Sequence, residues 1–256
     1  MLLAIDIGNT NIVIGVFEGE KLRATWRLGT DVHKLEDEYA GLFSNLWSLK
    51  GISFEDIDSA IIASSVPPLV TVFDELCKRY LGVTPMVVGP GVKTGVRIAL
   101  ENPREVGADR VVNAAAGHHL YGGPLIVIDF GTATTLDAVS EDGDYLGGAI
   151  APGIGISAEA LFREAAKLPR VELVRPPKAI GRNSVAAMQS GLIFGYVGLI
   201  EGIVARMQKE LGGEAKVIAT GGLADVIASE ASVVDALEPN LTLIGLRLVH
   251  ELNVGR

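Results

Sequence analysis

Two short stretches of this chain put the same chemistry at the same kind of position. Asp6-Ile7-Gly8-Asn9-Thr10 and Asp129-Phe130-Gly131-Thr132-Ala133-Thr134 each close an apolar run, and each sets a glycine two residues after an aspartate. A carboxylate at the end of a buried strand is costly unless it is paired or holds a cation. The glycine lets the backbone turn tightly and approach a ligand. Asn9, Thr10 and Asn11, or Thr132, Thr134 and Thr135, then offer hydroxyl, amide and backbone N–H donors for phosphate oxygens. Two such bends facing each other would clamp a polyphosphate, with Asp6 and Asp129 handling cations between them. Ordinary β-hairpins with polar turns explain either stretch alone equally well; their repetition favours function. The repeat extends over Leu2–Leu22 and Leu125–Leu146, with one inserted residue expected in the second hairpin. Self-similarity on this scale points to a duplicated half-chain unit, not a short-period solenoid.

Other stretches carry weaker chemical signals. Gly107-Ala108-Asp109-Arg110 sets an acid–base pair beside a flexible step in an otherwise apolar helix. A surface ion pair of small value is the plain explanation, and its place just before the second loop keeps a functional role open. His118 and His119 read as charges closing that helix. Gly153–Ala158 fits Gly-x-Gly-x-x-Ala, but the preceding strand belongs to a hairpin, so close backbone approach explains it better than a dinucleotide fold. Gly89–Thr94 fails the Walker A pattern, because Val92 stands where a glycine must precede Lys93. Thr220-Gly221-Gly222 ends a buried strand and could accept a base or ribose against its backbone.

The elements that must position these residues follow from periodicity. Leu2–Ile7 and Ile12–Phe17 read as strands, and Lys21–Leu28 alternates polar and apolar as a half-exposed strand does. Leu35, Tyr39, Leu42, Leu46 and Leu49 share helical spacing, as do Leu69, Val72, Phe73, Leu76 and Tyr80. Ala60–Ala63 and Met86–Val88 are short strands. The order β-β-β-α-β-α-β implies a mixed sheet. Asn102, Pro103 and Glu105 predict an N-cap, a first helical residue and a capping box for a helix reaching Tyr121. Val171–Ile180 reads as an extended, proline-broken connector, and Ser184 to about Leu211 as a long helix. Its Gly191, Gly195, Gly198 and Gly202 lie on one stripe, which predicts close contact with another helix, within the subunit or across a dimer axis. Lys216–Thr220 is a strand, and Leu241–Asn253 a final helix.

Composition bounds the rest. A chain of 256 residues with 48% hydrophobic and 21% charged residues is expected to fold as one large domain or two packed lobes. The net charge of −9 argues against nucleic acid or an anionic membrane as partner, so an anionic ligand must be held by local donors. Cys77, the single cysteine, excludes an internal disulfide and a cysteine-based zinc site. No basic leader precedes Asp6, and Ser184–Ile200 is too interrupted for a convincing membrane span, so a cytoplasmic protein is expected.

Two Asp-x-Gly hairpins and a late Thr-Gly-Gly turn resemble the superfamily of sugar kinases, actin and heat-shock chaperones. Within it the chain is similar, over nearly its whole length, to type III pantothenate kinases. The residues carrying the resemblance are Asp6–Thr10, Asn102-Pro103 with Glu105–Arg110, Asp129–Thr134, Gly147–Ile150 with Pro152-Gly153, Ala166–Pro169 and Thr220–Gly222. The resemblance implies an α/β, duplicated ribonuclease H-like two-lobed fold with mixed β-sheets, the actin-like ATPase architecture, divided as residues 1–120 and 121–256. It implies phosphorylation of pantothenate by ATP, with ATP phosphates along Asp6, Ile7, Gly8, Asn9, Thr10, Asn11, Ile12 and Val13 and at Thr132. Asp109 would be the base; Gly107, Ala108, Asp109, Arg110 and Ser184 would bind pantothenate. Asp129 would hold a monovalent cation, potassium or ammonium, and Mg²⁺ would accompany the nucleotide. The family is dimeric, with its substrate pocket at the subunit interface. Two positions depart from the family pattern: Leu100 stands where many relatives carry tyrosine, and Ser184 where threonine is common. Another small-molecule kinase or phosphatase of the same fold, a nucleotide-dependent regulator and an NAD enzyme are the competing readings. The joint presence of Asp6, Asp109 and Asp129 favours catalysis.

Overall fold

The computed structural model describes residues 1–255. Its contacts divide the chain into two compact units. The first holds Met1–Val96, Asn102–Ala116 and the residues from Thr242 onward; the second holds Arg97–Glu101 and Gly117–Leu241. The closing helix therefore groups with the first unit, which a single cut between residues 120 and 121 does not capture.

In the first unit, β1 (Leu2–Ile7), β2 (Asn11–Glu18) and β3 (Lys21–Gly29) form an antiparallel meander. β4 (Ser59–Ser64) and β5 (Met86–Val87) add in parallel on the far side of β1, giving the order β3-β2-β1-β4-β5. Because side chains alternate along a strand, β1 serves two layers. Leu3, Ile5 and Ile7 pack under α1 (Glu36–Ser48) and α2 (Pro67–Leu76), through Tyr39, Phe43, Trp47, Leu69 and Phe73. The buried stripe of α1 is Tyr39, Ala40, Phe43 and Trp47, and not the leucines read from spacing; Leu35 and Leu49 are exposed. Bulky rings fill the space over this sheet, and the leucines fall at the edge of the contact. On the opposite face, Ala4, Ile61 and Ala63 meet Val112 of α3 (Ala108–Tyr121) and Leu243, Leu246 and Val249 of α7 (Leu241–Val254).

The second unit repeats the pattern. β7 (Leu125–Phe130), β8 (Ala133–Val139) and β9 (Asp144–Pro152) form the meander; β10 (Lys216–Thr220) and β11 (Ala236–Leu237) add in parallel beside β7. β6 (Arg97–Ile98) extends the other edge, for an order of β11-β10-β7-β8-β9-β6. Ile126, Ile128 and Phe130 pack under α4 (Ile154–Glu164), α5 (Ser184–Glu210) and α6 (Ala224–Ala228). α5 is long and apolar enough by composition to cross a membrane, yet Leu192, Ile193, Tyr196, Ile200 and Val204 are buried in this core. One face of α5 thus packs in this core, while Gly191, Gly195 and Gly198 stand exposed.

The two halves differ in their turns, not by one inserted residue. The loop after the first aspartate has three residues (8–10) and the second has two (131–132). The turn closing the hairpin lengthens from two residues (19–20) to four (140–143). The capping box expected at the start of α3 also differs. Pro103–Glu105 is a separate 3₁₀ turn, in which Asn102 accepts from the Arg104 amide and donates to Glu105. Val106 is extended, and α3 begins only at Ala108. The cap at Asn102 with Pro103 behind it forms, whereas the reciprocal box does not, because Glu105 takes the Asn102 side-chain amide; Val106 then separates this turn from α3.

Candidate active site

Asp6 closes β1, opposite Val13 on β2 and beside Ala63 on β4. It shares the face of Ala4, which α3 and α7 cover, so the register sets Asp6 on the same side of the sheet as the helix whose first turn carries Asp109. The loop that follows is fastened from both flanks. The Gly8 amide donates to the Asn11 carbonyl at 3.0 Å, and the Thr30 hydroxyl donates to the Gly8 carbonyl at 2.6 Å. Ser65, just past β4, donates its amide to the Ile7 carbonyl at 2.9 Å and accepts from the Asn9 amide nitrogen at 3.3 Å. Thr30 and Ser65 escaped the reading of the sequence; the only available signal was a hydroxyl residue immediately after a strand. Asn9, Thr10 and Asn11 are exposed, whereas Ile7 and Ile12 are fully buried. Any ligand contact at those two isoleucines is therefore through the backbone.

Asp109 lies in the first turn of α3 and its carboxylate curls back over Gly107. A β-carbon at Gly107 would stand 2.4 Å from Asp109 Oδ1. The Gly107 carbonyl accepts from the Val111 amide at 3.2 Å, which fixes the backbone beneath the carboxylate. Gly107, Ala108, Asp109 and Arg110 are all half-buried.

In the second unit three glycine motifs meet at one loop. The Gly131 amide closes it by donating to the Ala133 carbonyl at 3.0 Å, and the Gly153 amide donates to the Thr132 carbonyl at 3.1 Å. A β-carbon on Gly153 would lie 2.3 Å from that carbonyl oxygen. Gly153 is thus the close-approach glycine inferred from its context, and it also caps α4. Gly221, at φ +96°, lets Asp129 pack directly against its turn, since a β-carbon there would stand 2.4 Å from Asp129 Oδ1. The motifs at 131, 153 and 221 are far apart in sequence, and the parallel pairing of β7 with β10 brings the last to the first.

Two of the predicted donors turn elsewhere. Thr134 is fully buried opposite Phe130 on the core side of the sheet, and its hydroxyl has no partner among the described residues. The Thr135 hydroxyl donates to Asp137 at 3.2 Å. Thr132 is exposed in the loop. Ser184 begins α5, is exposed, and opens onto an apolar cavity of about 510 Å³ whose walls include Leu168, Met188 and Gly191. Leu168 comes from the Ala166–Pro169 segment, which the sequence reading left without a role. His118 packs against Gly143 and lies 3.2 Å from the Glu141 carbonyl, a structural position. Among the described residues no three His, Cys, Asp or Glu side chains gather as a metal site.

Comparison with known proteins decides the family. A model of type III pantothenate kinase matches residues 2–206. A type III pantothenate kinase of Moorella thermoacetica is 57% identical over 253 residues, covering 99% of this chain and 100% of the relative. The chain belongs to the type III pantothenate kinase family. Solved structures agree on the fold. A Campylobacter jejuni protein described under the Baf family of transcriptional activators superposes with a TM-score of 0.64 at 18% identity, covering 98% of each chain. The ethanolamine utilization protein EutJ of Carboxydothermus hydrogenoformans gives 0.56 at 15% identity, covering 96% of this chain and 89% of its own. The fold is the duplicated α/β architecture of actin-like ATPases, as the repeated strand order requires. A type III pantothenate kinase uses ATP, and the donor set here fits that need: exposed loop amides and hydroxyls follow each aspartate, and the second aspartate is packed against the glycine turn at Gly221.

Proposed function

We propose that this chain transfers the γ-phosphoryl group of ATP to the primary hydroxyl of pantothenate, giving 4'-phosphopantothenate, the first step of coenzyme A biosynthesis. The observation that carries the reading is the family match along nearly the whole chain, with Asp109 held over Gly107 at the start of α3. Asp109 accepts the hydroxyl proton as the substrate oxygen attacks phosphorus in line; the bond to the β-phosphate oxygen breaks and ADP leaves. Positioning and charge neutralisation do most of the work in such transfers.

In this reading the backbone and polar side chains of Asp6–Val13, with Thr132, hold the phosphates. Gly107, Ala108, Arg110 and Ser184 hold pantothenate, and the cavity beside Ser184 suits its apolar portion. A monovalent cation at Asp129, potassium or ammonium, and Mg²⁺ on the nucleotide would neutralise phosphate charge. Mg²⁺ usually keeps several waters and binds one or two carboxylates plus phosphates, so it needs no cage of protein ligands. The chain is read as two actin-like ATPase lobes, residues 1–120 and 121–256, with the last helix returned to the first and Arg97–Glu101 and residues 117–120 to the second. We place the enzyme in the cytoplasm, as a homodimer. Added β-carbons at Gly191, Gly195 and Gly198 would meet nothing within 4 Å, so the glycine stripe of α5 has no partner within the described chain.

The test is phosphorylation of pantothenate by ATP, with and without potassium, for the wild type and Asp109→Asn. Loss of a catalytic base costs about 10²–10⁴ in rate. The variant is expected to fold normally and lose turnover by that margin; full activity in Asp109→Asn would remove the base assignment.

A further inference from the structure

The second unit contains a buried carboxylate that the reaction just described does not use. Asp137 on β8 is 0% exposed. Its Oδ1 accepts from the Tyr145 hydroxyl at 2.6 Å and its Oδ2 from the Thr135 hydroxyl at 3.2 Å. Tyr145 is itself fully buried, whereas Thr135 and Asp129 are both half-exposed. Register relates the group to the loop. Thr135 stands directly opposite Asp129 across β7 and β8, and Asp137 lies one pleat further along the same face. Directly paired residues in an antiparallel sheet have β-carbons about 4.5–5.5 Å apart. The Thr135 and Asp129 side chains therefore leave the same face of the sheet side by side.

A threonine hydroxyl has one proton and two lone pairs. Once that proton is committed to Asp137, the oxygen can only accept toward its other neighbours. An oxygen confined to accepting is what an alkali cation requires and what a phosphate oxygen repels. Burying a carboxylate beneath the sheet is costly without donors; Tyr145 and Thr135 supply them, and the cost secures one orientation of the Thr135 hydroxyl. We propose that Asp137 is a positioning residue that locks Thr135 Oγ1 as an additional oxygen ligand for the monovalent cation at Asp129. The proposal rests on the reading of Asp129 as the cation site. It changes the role first read for Thr135, from a donor to phosphate to an acceptor for the cation.

The test compares potassium with sodium as probe, using the full chain. Two quantities are read: the potassium-dependent rise in Tm without substrates, and the potassium concentration for half-maximal pantothenate phosphorylation. The variants are Thr135→Val, which keeps the shape and removes the oxygen, Thr135→Ser, which restores it, and Asp137→Asn, whose amide can donate back to Thr135 and release its proton. Loss of a supporting partner at a metal site costs about 10–100-fold in affinity. Thr135→Val and Asp137→Asn are expected to raise the half-maximal potassium concentration by about tenfold or more and to abolish the potassium-specific Tm rise. Thr135→Ser is expected to behave as wild type in both. A purely structural role would lower Tm in sodium and leave the potassium response intact, and that result overturns the proposal. Asp129→Asn separates the two levels. If it loses the response while Thr135→Val keeps it, the positioning role fails and the cation site stands. If the wild type shows no potassium response, or Asp129→Asn retains it, the cation site fails and the proposal with it.

Discussion

Replacing Gly107 by alanine tests the geometry of the proposed base without touching the base. The new β-carbon would stand 2.4 Å from Asp109 Oδ1. Carbon and oxygen settle at about 3.5 Å, so the carboxylate must retreat by about 1 Å. A misplacement of that size at a reacting group costs about 10²-fold in rate, or about 2.7 kcal/mol of transition-state stabilisation. The backbone has no objection: Gly107 is not among the glycines at positive φ, and the one close atom is the end of a side chain that can rotate. Alanine also restricts the unfolded chain, which favours folding by about 0.4–1 kcal/mol. The expected outcome for Gly107→Ala is a kcat lower by about 10²-fold with a Tm equal to or slightly above wild type. Steady-state phosphorylation of pantothenate and a thermal melt on the same preparation provide both values. Wild-type kcat would refute the claim that Asp109 reacts from its position over Gly107. A large fall in Tm would instead show that the backbone, not the carboxylate, gave way.

Two further outcomes are expected. Sedimentation equilibrium should give twice the chain mass, and Gly195→Leu on the open face of α5 should shift the protein toward the monomer; a monomeric wild type would remove the explanation for the stripe. His250 on α7 lines a cavity of about 410 Å³ with Glu18, Asp58 and Glu251, and burial is the main cause holding its imidazole below the ordinary value of 6.5, against the opposing charges of Glu251 and Asp58. A histidine whose folded value is depressed contributes stability that is present above the unfolded value and lost as pH falls through the folded one. Tm should therefore decline as pH is lowered below about 6.5, and His250→Gln should flatten that decline; an unchanged slope would show that other groups govern it.

The sequence alone determined the duplication, and for a local reason. An aspartate, a glycine two residues on and an apolar strand to either side constrain the chain within a few residues, so β1–β2 and β7–β8 form where periodicity places them. The meander, the crossover helices and the close approach at Gly153 were legible for the same reason. Only the tertiary structure decided what depends on distant partners. Thr30 and Ser65 fasten the first loop because β3 and β4 end beside it. Gly221 reaches Asp129 because β10 pairs with β7 from the far side of α5. Thr134 and Thr135, adjacent and alike in sequence, part company because a pleated strand sends one into the core and turns the other toward Asp137. Composition can specify a hydroxyl, but the strand's pleat and the neighbours across the sheet decide whether it donates, accepts or is buried.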